Sequence, residues 1–202
     1  MLDAAVIATA FGLVFVAELP DKTAVAGLVL GTKFPARWVF AGVAAAFAVH
    51  VVIATVAGSL LALLPRRPVE AVVALLFLLG AVLIWREGLA DVEAEEREEE
   101  EHVAEVPATA GFARVAGLAF GVIFVAEWGD LTQILTANLA AKYHDALSVG
   151  IGAVLGLWAV GLLAILGGKT LLKVLPIKWI TRVAAAVMVA LAIYSLVQAI
   201  RG

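Results

Sequence analysis

Apolar residues fill this chain in long blocks, divided by short polar breaks. A helix needs about 20 apolar residues to cross a hydrocarbon core, and six segments can be drawn to that requirement. The first runs from about Leu2 to Leu30 and closes at Gly31-Thr32-Lys33-Phe34-Pro35, where glycine and proline act as stop signals. The second covers roughly Trp38 to Leu64 and ends at Pro65-Arg66-Arg67-Pro68. The third goes from about Val69 to Trp85, with Arg86 and Glu87 at the interface. The fourth spans about Phe112 to Ala140, the fifth Ala146 to Leu166, and the sixth Ile177 to Ile200. The first and fourth exceed one straight crossing, which predicts tilted or broken helices. The pattern predicts an all-α, polytopic membrane protein with six transmembrane helices.

The polar residues inside those blocks repeat. Phe15-Val16-Ala17-Glu18-Leu19-Pro20-Asp21-Lys22-Thr23 returns 109 residues later as Phe124-Val125-Ala126-Glu127-Trp128-Gly129-Asp130-Leu131-Thr132, identical at six of nine positions. Pro65 and Pro176 close the second span of each half, and small residues gather late in both, at Ala57-Gly58-Ser59 and Gly167-Gly168. Three spans per half is an odd number, so the second half enters from the opposite face. The chain therefore divides into a first three-helix repeat (1–89), an acidic linker (90–110) and a second, inverted three-helix repeat (111–202). Inverted repeats with interrupted helices and a midplane site are a common architecture of secondary transporters.

Charge sharpens this reading. Only 15% of the 202 residues are charged, against 64% hydrophobic, and mean hydropathy is +1.07. A soluble domain carries nearer a quarter charged residues. Nine of the 17 acids lie between Asp91 and Glu105, and four more belong to the two motifs. The net charge of −3 thus reflects one solvated linker. There is no basic tract suited to nucleic acid, and no cysteine for disulfides, thiolate metal sites or thiol nucleophiles. The apolar N-terminus lacks a basic leader region and a small-residue cleavage site, and reads as the first span. Lys and Arg divide nine to four between the two faces, which places the linker in the cytoplasm and both termini outside.

Carboxylates in a hydrocarbon setting are expensive, and they tend to face an interior cavity and serve ions or protons. In a helix Glu18 and Asp21 stand at i, i+3 on one face, as do Glu127 and Asp130. Thr23 and Thr132 add hydroxyl oxygens, and Gln133 an amide oxygen. Pro20 and Gly129 loosen their helices and free backbone carbonyls. Such an all-oxygen set suits hard cations such as Ca²⁺, Mn²⁺ or Mg²⁺. The bland alternative pairs Glu18 with Lys22 at i, i+4 for charge neutralisation alone. The second copy argues against it, because Leu131 replaces the lysine there. Carboxylates without a local partner in low dielectric either hold a cation or take up protons. A site alternating between the two is a cation/proton exchanger, with Lys22 as an internal countercharge.

Paired Glu-x-Gly-Asp-Lys/Arg-Thr/Ser motifs in a small six-span protein with an acidic central loop resemble uncharacterised protein family 0016. This is the Gdt family of Ca²⁺/Mn²⁺:H⁺ antiporters. The resemblance extends to Val56-Ala57-Gly58 and Leu76-Phe77 in the first half, and to Gly152-Ala153 and Leu166-Gly167-Gly168 in the second. It implies that Glu18, Asp21, Thr23, Glu127, Asp130, Thr132 and Gln133 are the ion-binding groups. It also implies a bacterial plasma-membrane exporter of Mn²⁺ or Ca²⁺ with no resident cofactor and no enzymatic activity. Two departures stand out: Pro20 replaces the motif glycine, and Leu131 replaces the basic residue of the second copy.

Other residues admit two readings. His50, within the second span, belongs either to an ion or proton path or to a bond with a neighbouring backbone carbonyl. Asn138 lines an exit or caps a helix end. His102 lies in the acidic linker, which reads as a spacer. Trp38, Trp85 and Trp179 suit interfacial belts, Trp128 a cavity wall, and Trp158 packing. Gly152 and Gly156 form a small-residue face for a neighbouring helix. Competing functions are a divalent-cation channel and, with less support, an intramembrane acid-dyad hydrolase.

Overall fold

A computed structural model gives the architecture and describes residues 2–18, 22–87, 107, 109–174 and 177–201. The described residues form helices α1 (Ala4–Glu18), α2 (Lys22–Lys33), α3 (Ala36–Leu61), α4 (Arg66–Glu87), α5 (Phe112–Ala126), α6 (Leu131–Tyr143), α7 (Ala146–Val174) and α8 (Ile177–Arg201). No strand occurs among them. Pro20, Asp21 and the linker with His102 lie outside the described residues, as do the side chains of Lys22, Thr23, Trp85 and Trp179.

The helices come in one order used twice: short, short, long, long. Their lengths are 15, 12, 26 and 22 residues, then 15, 13, 29 and 25. Each long first segment expected from hydropathy is thus two helices. The first pair ends at Glu18 and resumes at Lys22, and the second ends at Ala126 and resumes at Leu131.

Three boundaries differ from the sequence reading. α4 begins at Arg66, with Pro68 in its first turn, where an N–H has no intrahelical acceptor to lose. α7 runs through Gly167-Gly168 to Val174, because glycine costs a helix only about 1 kcal/mol and no proline intervenes before Pro176. Asn138 lies inside α6 and does not cap its end, which falls at His144 in the left-handed region (φ 51°).

Packing exchanges the halves. α1 lies along α7 as α5 lies along α3, α2 meets α7 as α6 meets α3, and α4 pairs with α8. The scheme of contacts stays the same when the two halves are exchanged. Glycine marks the tightest crossings. A Cβ on Gly42 would stand 2.1 Å from the Ala116 carbonyl oxygen, and one on Gly152 would stand 2.3 Å from that of Ile7. At Gly58 the neighbour is the Ala137 carbonyl oxygen, again at 2.1 Å. Gly156 seats a neighbouring helix as expected, and that helix is α1, at Phe11 and Phe15. Trp158 is a packing residue, edge-on to Phe40, with its Nε1–H donated to the Ala44 carbonyl at 3.0 Å.

One end of the bundle is pinned by two caps. Asp3 accepts from the N–H groups of Ala5 and Val6 at the start of α1, and Asp145 from Ser148 at the start of α7. The Asp3 N–H donates to the Ser148 hydroxyl at 2.9 Å, joining them. The hydrogen bonds from Ser148 hold the Asp145 carboxyl below the usual carboxylate range. Among the described residues two helical stretches, Ala36–Leu61 and Ala146–Gly167, are long and apolar enough to cross a membrane. Ala4–Glu18, Phe112–Ala126 and Ala185–Arg201 are shorter and apolar. Large apolar side chains such as Val52, Val56, Leu75, Leu79, Ile193 and Ile200 cover the outer surface.

Candidate metal centre

The second motif is the better described helix break. Gly129 takes φ +80°, a conformation open to glycine at little cost and strained for other L-residues. The chain leaves α5 through a turn at Glu127 and Trp128 and reaches Asp130 in extended geometry (φ −66°, ψ 161°). Asp130 then caps α6. Its Oδ2 accepts from the Thr132 N–H at 2.8 Å and from the Thr132 hydroxyl at 2.9 Å. The helix start so made also favours negative charge at this point.

A substitution tests the turn. Gly129→Ala has open space around the new methyl group, so only the positive φ opposes it. The expected outcome is a cost of about 1–2 kcal/mol, seen as a lowered melting temperature in detergent. Gly129→Asn should melt closer to the parent, since asparagine tolerates this region.

The break brings carboxylates from both halves together. Oxygen atoms of Glu18, Glu127 and Asp130 lie within 4.8 Å of one another. Glu18 and Glu127 are buried, at 0% and 2% exposure, while Asp130 is half-buried. Glu18 stands at the end of α1 and Glu127 at the end of α5, corresponding positions of the two halves. Beside them is a small void of about 10 Å³, on the order of what one water molecule needs. Glu127, His50, Thr132, Gln133 and Thr136 supply its polar lining.

The other expected site residues are placed differently. The Thr132 hydroxyl is turned to Asp130 and so steadies a carboxylate. Gln133 is engaged at both ends of its amide. Its Oε1 accepts from the Gly129 N–H at 3.2 Å, and its Nε2–H faces His50 Nδ1. Asp21 and the Thr23 side chain lie outside the described residues. Trp128 is 65% exposed and packs edge-on against Phe124 and His50, so it borders the break from outside.

The freed carbonyl expected at the break exists, but a side chain occupies it. In an unbroken helix the Trp128 N–H would bond to Phe124, whereas here it reaches Val125 at 3.3 Å. The Phe124 oxygen accepts instead from His50 Nε2–H at 3.0 Å. Of the two readings of His50, the geometry is that of the carbonyl partner. Thr136, buried at the void, was not singled out from the sequence. Its spacing of i+4 from Thr132 on one helix face is the signal that could have found it.

The family model described as the divalent cation/proton antiporter GDT1 matches residues 6–92 and 115–202. The GDT1-like protein sll0615 of Synechocystis sp. is 36% identical over 168 residues, covering 78% of this chain and 80% of that protein. GDT1-like protein 5 of Arabidopsis thaliana is 31% identical over 185 residues, covering 79% and 81%. The chloroplastic protein PAM71 of Arabidopsis thaliana is 35% identical over 184 residues, with 81% of this chain aligned to 49% of that protein. No solved structure matches the chain.

Proposed function

The chain belongs to the GDT1 family of divalent cation/proton antiporters, and from that premise we propose that it exchanges Mn²⁺ or Ca²⁺ for protons by alternating access, exporting the metal from the cytoplasm. The observation that carries this reading is the convergence of Glu18, Glu127 and Asp130, from opposite halves of the chain, within 4.8 Å. Three ionised carboxylates that close repel one another strongly in a low-dielectric setting. A divalent cation relieves the repulsion, and so do protons. The same oxygens therefore serve both cargoes in turn, and the oxygen-only donors favour hard cations.

In this reading α1–α2 and α5–α6 each cross the membrane as one broken helix. With α3, α4, α7 and α8 they make six crossings in two inverted repeats. The pairwise exchange of helix contacts between the halves supports it. Asp21 completes the charge set, with Thr23, Thr132 and Gln133 around it. The excess of Lys and Arg on the linker side puts the linker in the cytoplasm and both termini outside.

The test is ⁵⁴Mn²⁺ and ⁴⁵Ca²⁺ uptake into proteoliposomes, with the pH gradient reversed in one arm. Flux is expected to follow the gradient and reverse with it. Apparent metal affinity should fall steadily as pH drops from about 8 to about 5, because protons and metal compete for the same carboxylates. Flux indifferent to the gradient would mark a channel, and flat affinity across that range would separate the proton site from the metal site. Either result overturns the proposal.

A further inference from the structure

α3 belongs to the first half, and it crosses the broken α5–α6 pair of the second half at two glycines. Gly42 meets Ala116 of α5, and Gly58 meets Ala137 of α6. His50 lies midway between these crossings, eight residues from each, and is 2% exposed. Both ring nitrogens are used on the break. Nε2–H donates to the Phe124 carbonyl, and Nδ1 accepts from the Gln133 amide. The Gly129 N–H fixes the amide's orientation by donating to its Oε1. Phe124 stacks on the imidazole at 4.9 Å and Trp128 meets it edge-on at 5.9 Å. The last turn of α5, the positive-φ glycine and the first turn of α6 are thus tied to one side chain of the other half.

Gly152 is to α7 what Gly42 is to α3, so the position corresponding to His50 is Val160. Valine carries no polar side-chain group. We propose that His50 is a positioning residue, a latch that holds the second break in the geometry that brings Glu127 and Asp130 to Glu18. The latch rests on the exchange reading above for its consequence in transport, though not for its mechanical effect.

Hydrogen–deuterium exchange of the purified protein in detergent, without added metal, reads the mechanical effect by itself. His50→Val, which writes the other half's residue here, should speed exchange of the 127–133 amides about tenfold, the size expected when a buried hydrogen-bonding group is orphaned. His50→Gln keeps a donor for the Phe124 carbonyl and should stay within about threefold of the parent, while the shorter His50→Asn loses that bond and should resemble His50→Val. In proteoliposomes His50→Val should raise KM for Mn²⁺ about tenfold while maximal flux changes less than about threefold, because the assembled site becomes the less populated state. A purely structural role would lower the yield and maximal flux and leave KM in place.

Unchanged exchange at 127–133 in His50→Val overturns the latch, as does a KM that does not move. Should His50→Val fail to fold, parental exchange in His50→Asn, or equal exchange in His50→Asn and His50→Gln, overturns it instead. A wild-type protein without proton-driven flux sinks the exchange reading alone, since the amide measurement still decides the latch.

Discussion

Glu127→Gln and Glu18→Gln should each reduce proton-coupled Mn²⁺ or Ca²⁺ flux to about a hundredth of the parent or less, with the protein still folded. Two unit charges 4 Å apart interact by about 4 kcal/mol at an effective dielectric constant near 20, and each 1.4 kcal/mol is a factor of ten. Removing one carboxylate from a divalent cation in a site this buried therefore exceeds a hundredfold loss of affinity by a comfortable margin. Glutamine keeps the volume and a hydrogen-bonding oxygen, so the helix ends it occupies have little reason to move. The two substitutions should also resemble each other, since Glu18 and Glu127 occupy matching places at the ends of α1 and α5. Radiotracer uptake at saturating and limiting metal checks both points. A Glu18→Gln protein with parental flux would mean that Glu18 is not a ligand.

The second large effect belongs to the glycine crossings. Gly42→Ala and Gly152→Ala each add a methyl group within 2.3 Å of a backbone oxygen on the partner helix, at Ala116 and Ile7. Backbone cannot swing aside as a side-chain tip can. The helices must separate, and α3·α5 or α1·α7 packing is lost along with them. We expect each to cost about 1–3 kcal/mol or more, visible as a fall in melting temperature and in monodisperse yield from detergent. Gly12, Gly117 and Gly121 are the controls, because a Cβ there meets nothing within 4 Å. Alanine at those positions should be neutral or stabilising by up to about 1 kcal/mol, from helix propensity alone. Equal behaviour of the two groups would mean that the crossings are looser than described.

Several features of the centre were legible because they follow from local chemistry. Glu18, Glu127 and Asp130 announce themselves as acids in apolar surroundings, and Gly129 announces a break because it suits a positive φ. Gly152 and Gly156 read as a small-residue face, and α1 rests on it. The partners of those groups were less visible. Gln133 reads as an oxygen donor for an ion, yet His50 and Gly129 occupy its amide. Thr132 reads as a ligand, yet its hydroxyl serves Asp130. His50 stood between two readings because its partner, the Phe124 carbonyl, is 74 residues away and is released only by the break.

The sequence by itself determined the helical class, the duplication, the acid pairs and the places where each first segment must interrupt. Those depend on composition, on period and on the conformational limits of single residues, all of which are local. The tertiary structure decided which oxygens meet, which hydrogen-bonding groups are already spent, and where His50 reaches the second break. Those depend on where α3 crosses α5 and α6, and that crossing is set by close contact between residues far apart in the chain.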